Sequence, residues 1–110
     1  MNCESDAVYA CVLMGDAMDK IRRHIIFYGR VQGVGFRWHC KNFANAKGLT
    51  GWVQNLPDGT VEMEVQGTEE KVSALIGYME ERPYVEIDRL DSEIIDLVNG
   101  DFGFYTKESW

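Results

Sequence analysis

The run TVEMEVQ at residues 60–66 alternates strictly, with Val61, Met63 and Val65 on one side and Glu62, Glu64 and Gln66 on the other. A two-residue period is that of a β-strand with one face buried and the other in water. The chain is thereby committed to an antiparallel sheet covered on one side. Neighbouring residues supply the partners. LTGWVQN, residues 49–55, is a second short strand, and LPDG, residues 56–59, is a turn in which Pro57 presets φ and Gly59 tolerates a positive one. The two strands therefore form a hairpin. RRHIIFY, residues 22–28, is rich in β-branched and aromatic residues and ends at Gly29, which reads as a strand.

Two helices cover this sheet. Phe36, Cys40, Phe43, Ala44 and Lys47 fall at i, i+4, i+7, i+8 and i+11, one face of a helix closed by Gly48 at the C′ position. Thr68 is a good N-cap for the second helix, where Glu69 and Glu70 complement the dipole and Val72, Leu75, Ile76 and Met79 form the apolar stripe. Arg82 and Pro83 end it. Val85, Ile87 and the run to Ile95 give a fourth strand, and FGFY, residues 102–105, is a candidate short fifth. The order β-α-β-β-α-β is the split βαβ, or ferredoxin-like, pattern: an α+β fold with an antiparallel sheet and both helices on one face. That fold hosts many functions and settles none.

The chain has 110 residues, 45% of them hydrophobic, enough for one domain to bury a core without disulfides or a structural metal. Residues 1–19 show no clear period and read as a weakly structured extension, leaving 20–110 as the domain. The three cysteines, Cys3, Cys11 and Cys40, form no CxxC pair, and no histidine stands at ligand spacing, so a zinc site is not expected. An odd cysteine count argues against a disulfide framework and suggests a reducing compartment, hence a cytoplasmic location. No apolar run approaches ~18 residues, so no membrane span is expected.

A formal net charge of −7 argues against adhesion to nucleic acid or anionic membrane. Its distribution is more informative. Between Lys20 and Pro57 there is no Asp or Glu, yet the window holds Lys20, Arg22, Arg23, Arg30, Arg37, Lys41 and Lys47; from Asp58 onward fourteen acidic residues face four basic ones. A carboxylate-free segment in an acidic chain is consistent with a small-anion site or with solvated faces alone.

Within that window GRVQGVGFR, residues 29–37, sits between a strand and a helix N-terminus. The first helical turn carries free N–H groups and the positive end of the dipole. Gly33 and Gly35 let the backbone bend until several N–H groups converge, as a phosphate-sized anion requires. Arg37, in the first turn, can add a bidentate guanidinium. The stretch lacks GK[ST] and GxGxxG, so it is neither a P-loop nor a dinucleotide fingerprint. From spacing alone, a phosphate cradle and a tight turn that binds nothing both remain open. Asn55, at the end of a strand, reads by itself as the start of a turn.

GRVQGVGFR and GWVQNLPDGTV, residues 51–61, together resemble acylphosphatase: both family motifs, G-x-V-Q-G-V-x-F-R and G-x-V-x-N-x-x-D-G-x-V, are matched at every defined position. The resemblance runs from about Lys20 to about Tyr105, loosely after Asn99, and the family's fold is the ferredoxin-like one. It implies hydrolysis of small acyl phosphates to a carboxylate and inorganic phosphate. By position, Arg37 would bind the phosphoryl group, the backbone N–H groups of Gln32, Gly33, Val34, Gly35, Phe36 and Arg37 would cradle its oxygens, and Asn55 would orient the attacking water. A carboxylate leaves without a general acid, so no metal, cofactor or phosphoenzyme is expected. The only partner expected is the small substrate, and the chain is expected to be a monomer.

Other residues are set aside. His24 reads as a half-exposed sheet position. His39 is rotated roughly 200° from Arg37 about the helix axis and should point elsewhere. Cys40 lies on the apolar stripe and reads as core. Asp58 belongs to the turn. Trp38 and Trp52 either frame a mouth or pack, and Arg30 either shapes the loop or adds positive potential. Two competing functions are a non-catalytic anion-binding module using the same loop, and RNA binding, which the exposed Glu62 and Glu64 disfavour. The family's domain also occurs inside a larger hydrogenase-maturation carbamoyltransferase, whose zinc-finger cysteines have no counterpart here.

Overall fold

The computed structural model describes residues 20–107. The elements run β1 (Lys20–Arg30), α1 (Phe36–Ala46), β2 (Thr50–Asn55), β3 (Val61–Thr68), α2 (Glu69–Glu80), β4 (Glu86–Ile95) and β5 (Phe104–Thr106). The five strands form one sheet in the order β4-β1-β3-β2-β5. The ferredoxin-like arrangement is as expected, with one difference at the edge: β5 pairs parallel to β2, so the sheet is mixed. The candidate strand at 102–105 is correspondingly shorter and later; Phe102 precedes it and is 92% exposed. The extension expected over 1–19 lies outside the described residues. Among the described residues no helix is long and apolar enough to cross a membrane.

The core lies between sheet and helices. Ile25 and Phe27 of β1, Val53 of β2 and Val61, Met63 and Val65 of β3 meet Phe36, Cys40 and Ala44 of α1 and Val72, Leu75 and Met79 of α2, all buried. Burying each large side chain contributes about 1.5–3 kcal/mol over leaving it exposed. Burial also raises the pKa of the Cys40 thiol, in keeping with a core residue rather than a nucleophile.

Both helix termini follow from the sequence. At the C-terminus of α1 the amide of Leu49 donates to Ala44 at 2.8 Å and that of Gly48 to Asn45 at 3.3 Å, the paired bonds of a Schellman motif. At the N-terminus of α2 the Thr68 hydroxyl accepts from the Lys71 amide at 3.2 Å.

The other face of the sheet departs from the alternation in one place. Gln66, expected in water, is buried. Ile95, Arg22, Gln66 and Thr50 form one row across β4, β1, β3 and β2, and residues 96–103, linking the two edge strands, fasten onto that row. Gln66 donates to the Val98 carbonyl at 3.2 Å and accepts from its amide at 2.9 Å, and Arg22 bonds Asp101 at 2.7 Å and Glu64 at 2.8 Å. Four strand spacings are about 19 Å, within the reach of eight extended residues.

Candidate active site

β1 leaves the sheet at Arg30 and the chain turns through Gly33 and Gly35, both left-handed with φ 73 and 80, before α1 begins at Phe36. Gly35 occupies the N-cap position, where its carbonyl accepts from His39 at 3.0 Å. Among the described residues no side chain caps α1 and its first turn holds no acidic residue, whereas α2 has both. The amides of that turn thus face a space that no side chain of the helix occupies.

Strand alternation brings the second half of the site to the same place. Val53 is in the core, so Asn55, two residues on, shares the helix-covered face, with its Oδ1 shielded from solvent. β5 sets Thr106 beside Val53. The result is an open pocket of about 370 Å³ lined by Val31, Gly33, Gly35, Phe36, Arg37, Trp38, Lys41, Asn55 and Thr106. Among the described residues no carboxylate lines it. Arg37 is half-buried and, among the described residues, in no ion pair.

Of the residues singled out in the sequence, Gly33, Gly35, Phe36, Arg37 and Asn55 come together there. Phe36 turns its ring into the core against Phe27, 5.0 Å between centroids, so only its backbone serves the pocket. Gln32 and Val34 do not line it. The Gln32 amide instead donates to the carbonyls of Leu56 and Thr60 at 2.7 and 2.8 Å, tying the glycine loop to the turn that follows Asn55. Asp58 is structural: it accepts from the Thr60 amide and hydroxyl at 3.0 and 2.6 Å, which lowers its pKa.

Trp38 and Trp52 separate. Trp38 borders the pocket, while Trp52 lies outside it, under the Lys107 ammonium, 3.9 Å from the ring centre. His39 packs edge-on to Trp38 and Tyr78, away from the pocket, and His24 bonds Glu62 at 2.7 Å on the open sheet face. Arg30 lies on the far side of the glycine loop, in a shallow hollow with Val34 and Tyr84. Of the seven basic residues in the carboxylate-free window only Arg37 and Lys41 reach the pocket; Arg22 and Arg23 are committed to Glu64, Asp101 and Glu69. Lys41 and Thr106 were not singled out as site residues. Lys41 could have been found from its i+4 spacing to Arg37; Thr106 carries no such signal.

The acylphosphatase family model matches residues 23–105. The chain belongs to the acylphosphatase family. It is a hydrolase of that family. An acylphosphatase from Thermococcus kodakarensis is 53% identical over 66 residues, 60% of this chain and 72% of that protein. One from Anaeromyxobacter dehalogenans is 40% identical over 88 residues, covering 79% and 94%. The crystal structure of acylphosphatase from Bacillus subtilis superposes with a TM-score of 0.73 at 30% identity, covering 79% of this chain and 98% of that one. The matched region covers α1, β2, β3, α2 and β4 whole, most of β1 and the first two residues of β5, and with them every lining residue of the pocket except Thr106.

Proposed function

We propose that the pocket hydrolyses the carboxyl–phosphate bond of small acyl phosphates by direct attack of water on phosphorus. The observation that carries this is the convergence of Arg37, the uncapped start of α1 and Asn55 on one pocket that no described carboxylate lines. The guanidinium of Arg37 and the amides of the loop residues that line the pocket, Gly33, Gly35, Phe36 and Arg37, hold the phosphoryl oxygens where charge builds up. Asn55, at the end of β2, accepts a hydrogen bond from the incoming water and aims it. The water oxygen bonds to phosphorus as the bond from phosphorus to the acyl oxygen breaks. The bonding pair leaves on the carboxylate, and both water protons remain on the phosphate product. A carboxylate is a weak base, so the step asks for no general acid. Freedom from metal, a cytoplasmic location and a monomeric state belong to the same proposal.

The test is hydrolysis of benzoyl phosphate with a chelator present, by the unmodified chain and by Asn55→Ala. The unmodified chain is expected to be active. Asn55→Ala is expected to lose about 10²-fold in kcat while still binding inorganic phosphate, since the cradle is intact. An inert but folded unmodified chain would reduce the loop to an anion-binding site, and an Asn55→Ala variant with full kcat would remove the water-positioning role.

Gln32→Leu is a milder probe of the same geometry. Losing both bonds to the β2–β3 turn should cost about 1–2 kcal/mol of stability and about tenfold in kcat, because the turn that carries Asn55 is no longer held to the loop. Denaturant unfolding and steady-state rates measure the two effects separately.

A further inference from the structure

We propose that Lys41 makes this pocket select acyl phosphates carrying a second anionic group, a carboxylate or a second phosphate, on the acyl side. This rests on the acyl-phosphate reading of the site. Lys41 stands four residues after Arg37 on α1, so the two lie about 40° apart around the axis and about 6 Å apart along it. Both line the pocket, Trp38 lines it with them, and among the described residues no acidic one does. Among the described residues Lys41 is in no ion pair.

Chemistry at phosphorus does not call for this lysine. The phosphoryl group has Arg37 and the amides at the start of α1, and a carboxylate leaving group needs no acid. The helix dipole does not call for it either, since Lys41 stands at the middle of α1, away from the first and last turns where the dipole acts. The pocket's volume of about 370 Å³ exceeds what a phosphate fills. A phosphoryl group seated on the loop leaves the acyl group to run along α1, past the 64% exposed ring of Trp38, to the ammonium of Lys41. The chain as a whole carries −7, so its long-range field works against added negative charge. Selection for a second anion must therefore come from a local cation.

The probes are 4-carboxybenzoyl phosphate and 4-methylbenzoyl phosphate, matched in shape and differing in charge at the far end. The readout is the ratio of their kcat/KM values, each corrected for hydrolysis in buffer, in the unmodified chain, Lys41→Met and Lys41→Arg. Reactivity differences between the probes cancel when variants are compared. The ratio is expected to be about fivefold higher in the unmodified chain than in Lys41→Met, mainly through KM, to be kept in Lys41→Arg, and to shrink in high salt. A ratio unmoved by Lys41→Met, with both probes hydrolysed, overturns the role of Lys41 and leaves the acyl-phosphate reading standing. Hydrolysis of neither probe overturns both.

Discussion

Arg37→Ala is expected to lower kcat/KM for benzoyl phosphate by about 10³-fold, the loss of a guanidinium that neutralises a phosphoryl group in the transition state. Arg37→Lys should recover little of it, because an ammonium cannot reproduce the planar two-pronged grip. Stability should move the other way or not at all. Arg37 sits in the first turn of α1, against the positive end of the helix dipole, and no described carboxylate compensates it. Thermal unfolding separates the two effects. Arg37→Ala should melt at or slightly above the unmodified chain, and inorganic phosphate should raise the Tm of the unmodified chain but not that of the variant. Activity kept within tenfold would exclude Arg37 as the phosphoryl ligand.

Gly51→Ala is expected to destabilise the fold by about 3 kcal/mol or more, a drop in Tm of roughly 15 °C. Gly51 has φ 135, and a Cβ there would stand 2.0 Å from the Glu64 carbonyl oxygen and 3.1 Å from the Val65 Cα. Those atoms are backbone of β3 and cannot swing aside as a side chain could. The same residue donates its amide to the Gly103 carbonyl at 3.1 Å, where the chain returns to start β5. One methyl group would thus disturb the pairing on both sides of β2. Denaturant unfolding measures it, and a loss below 1 kcal/mol would show that the strand relaxes to accept the methyl.

The sequence was most legible where a local period decided the outcome. Alternation placed Val61, Met63 and Val65 in the core, and helical spacing did the same for Phe36, Cys40 and Ala44. Gly48 and Thr68 ended and began their helices as their chemistry requires. Gln66 was misread because its burial comes from residues 96–103 passing over it, a contact about thirty residues distant that no local pattern records. The parallel pairing of β5 escaped for a similar reason: three residues at a sheet edge carry too little pattern to give a direction. In the site, Arg37 and Asn55 were legible through two long motifs in register. The lining by Thr106 was not, because it depends on which edge β5 joins. Gln32 belongs to the first motif, but its side-chain bonds to Leu56 and Thr60 follow from three-dimensional proximity alone.

The return of the chain to the far edge of the sheet bears on how the pocket comes into being during synthesis. Arg37 and Asn55 emerge from the ribosome early, and so does the hairpin that Gln32 grips. The wall that Thr106 supplies comes from the last strand, which reaches the edge beside β2 by way of residues 96–103. In the order of synthesis the anion-holding half of the pocket therefore comes first and Thr106 last. A chain cut short before β5 would lack the wall that Thr106 supplies to the pocket.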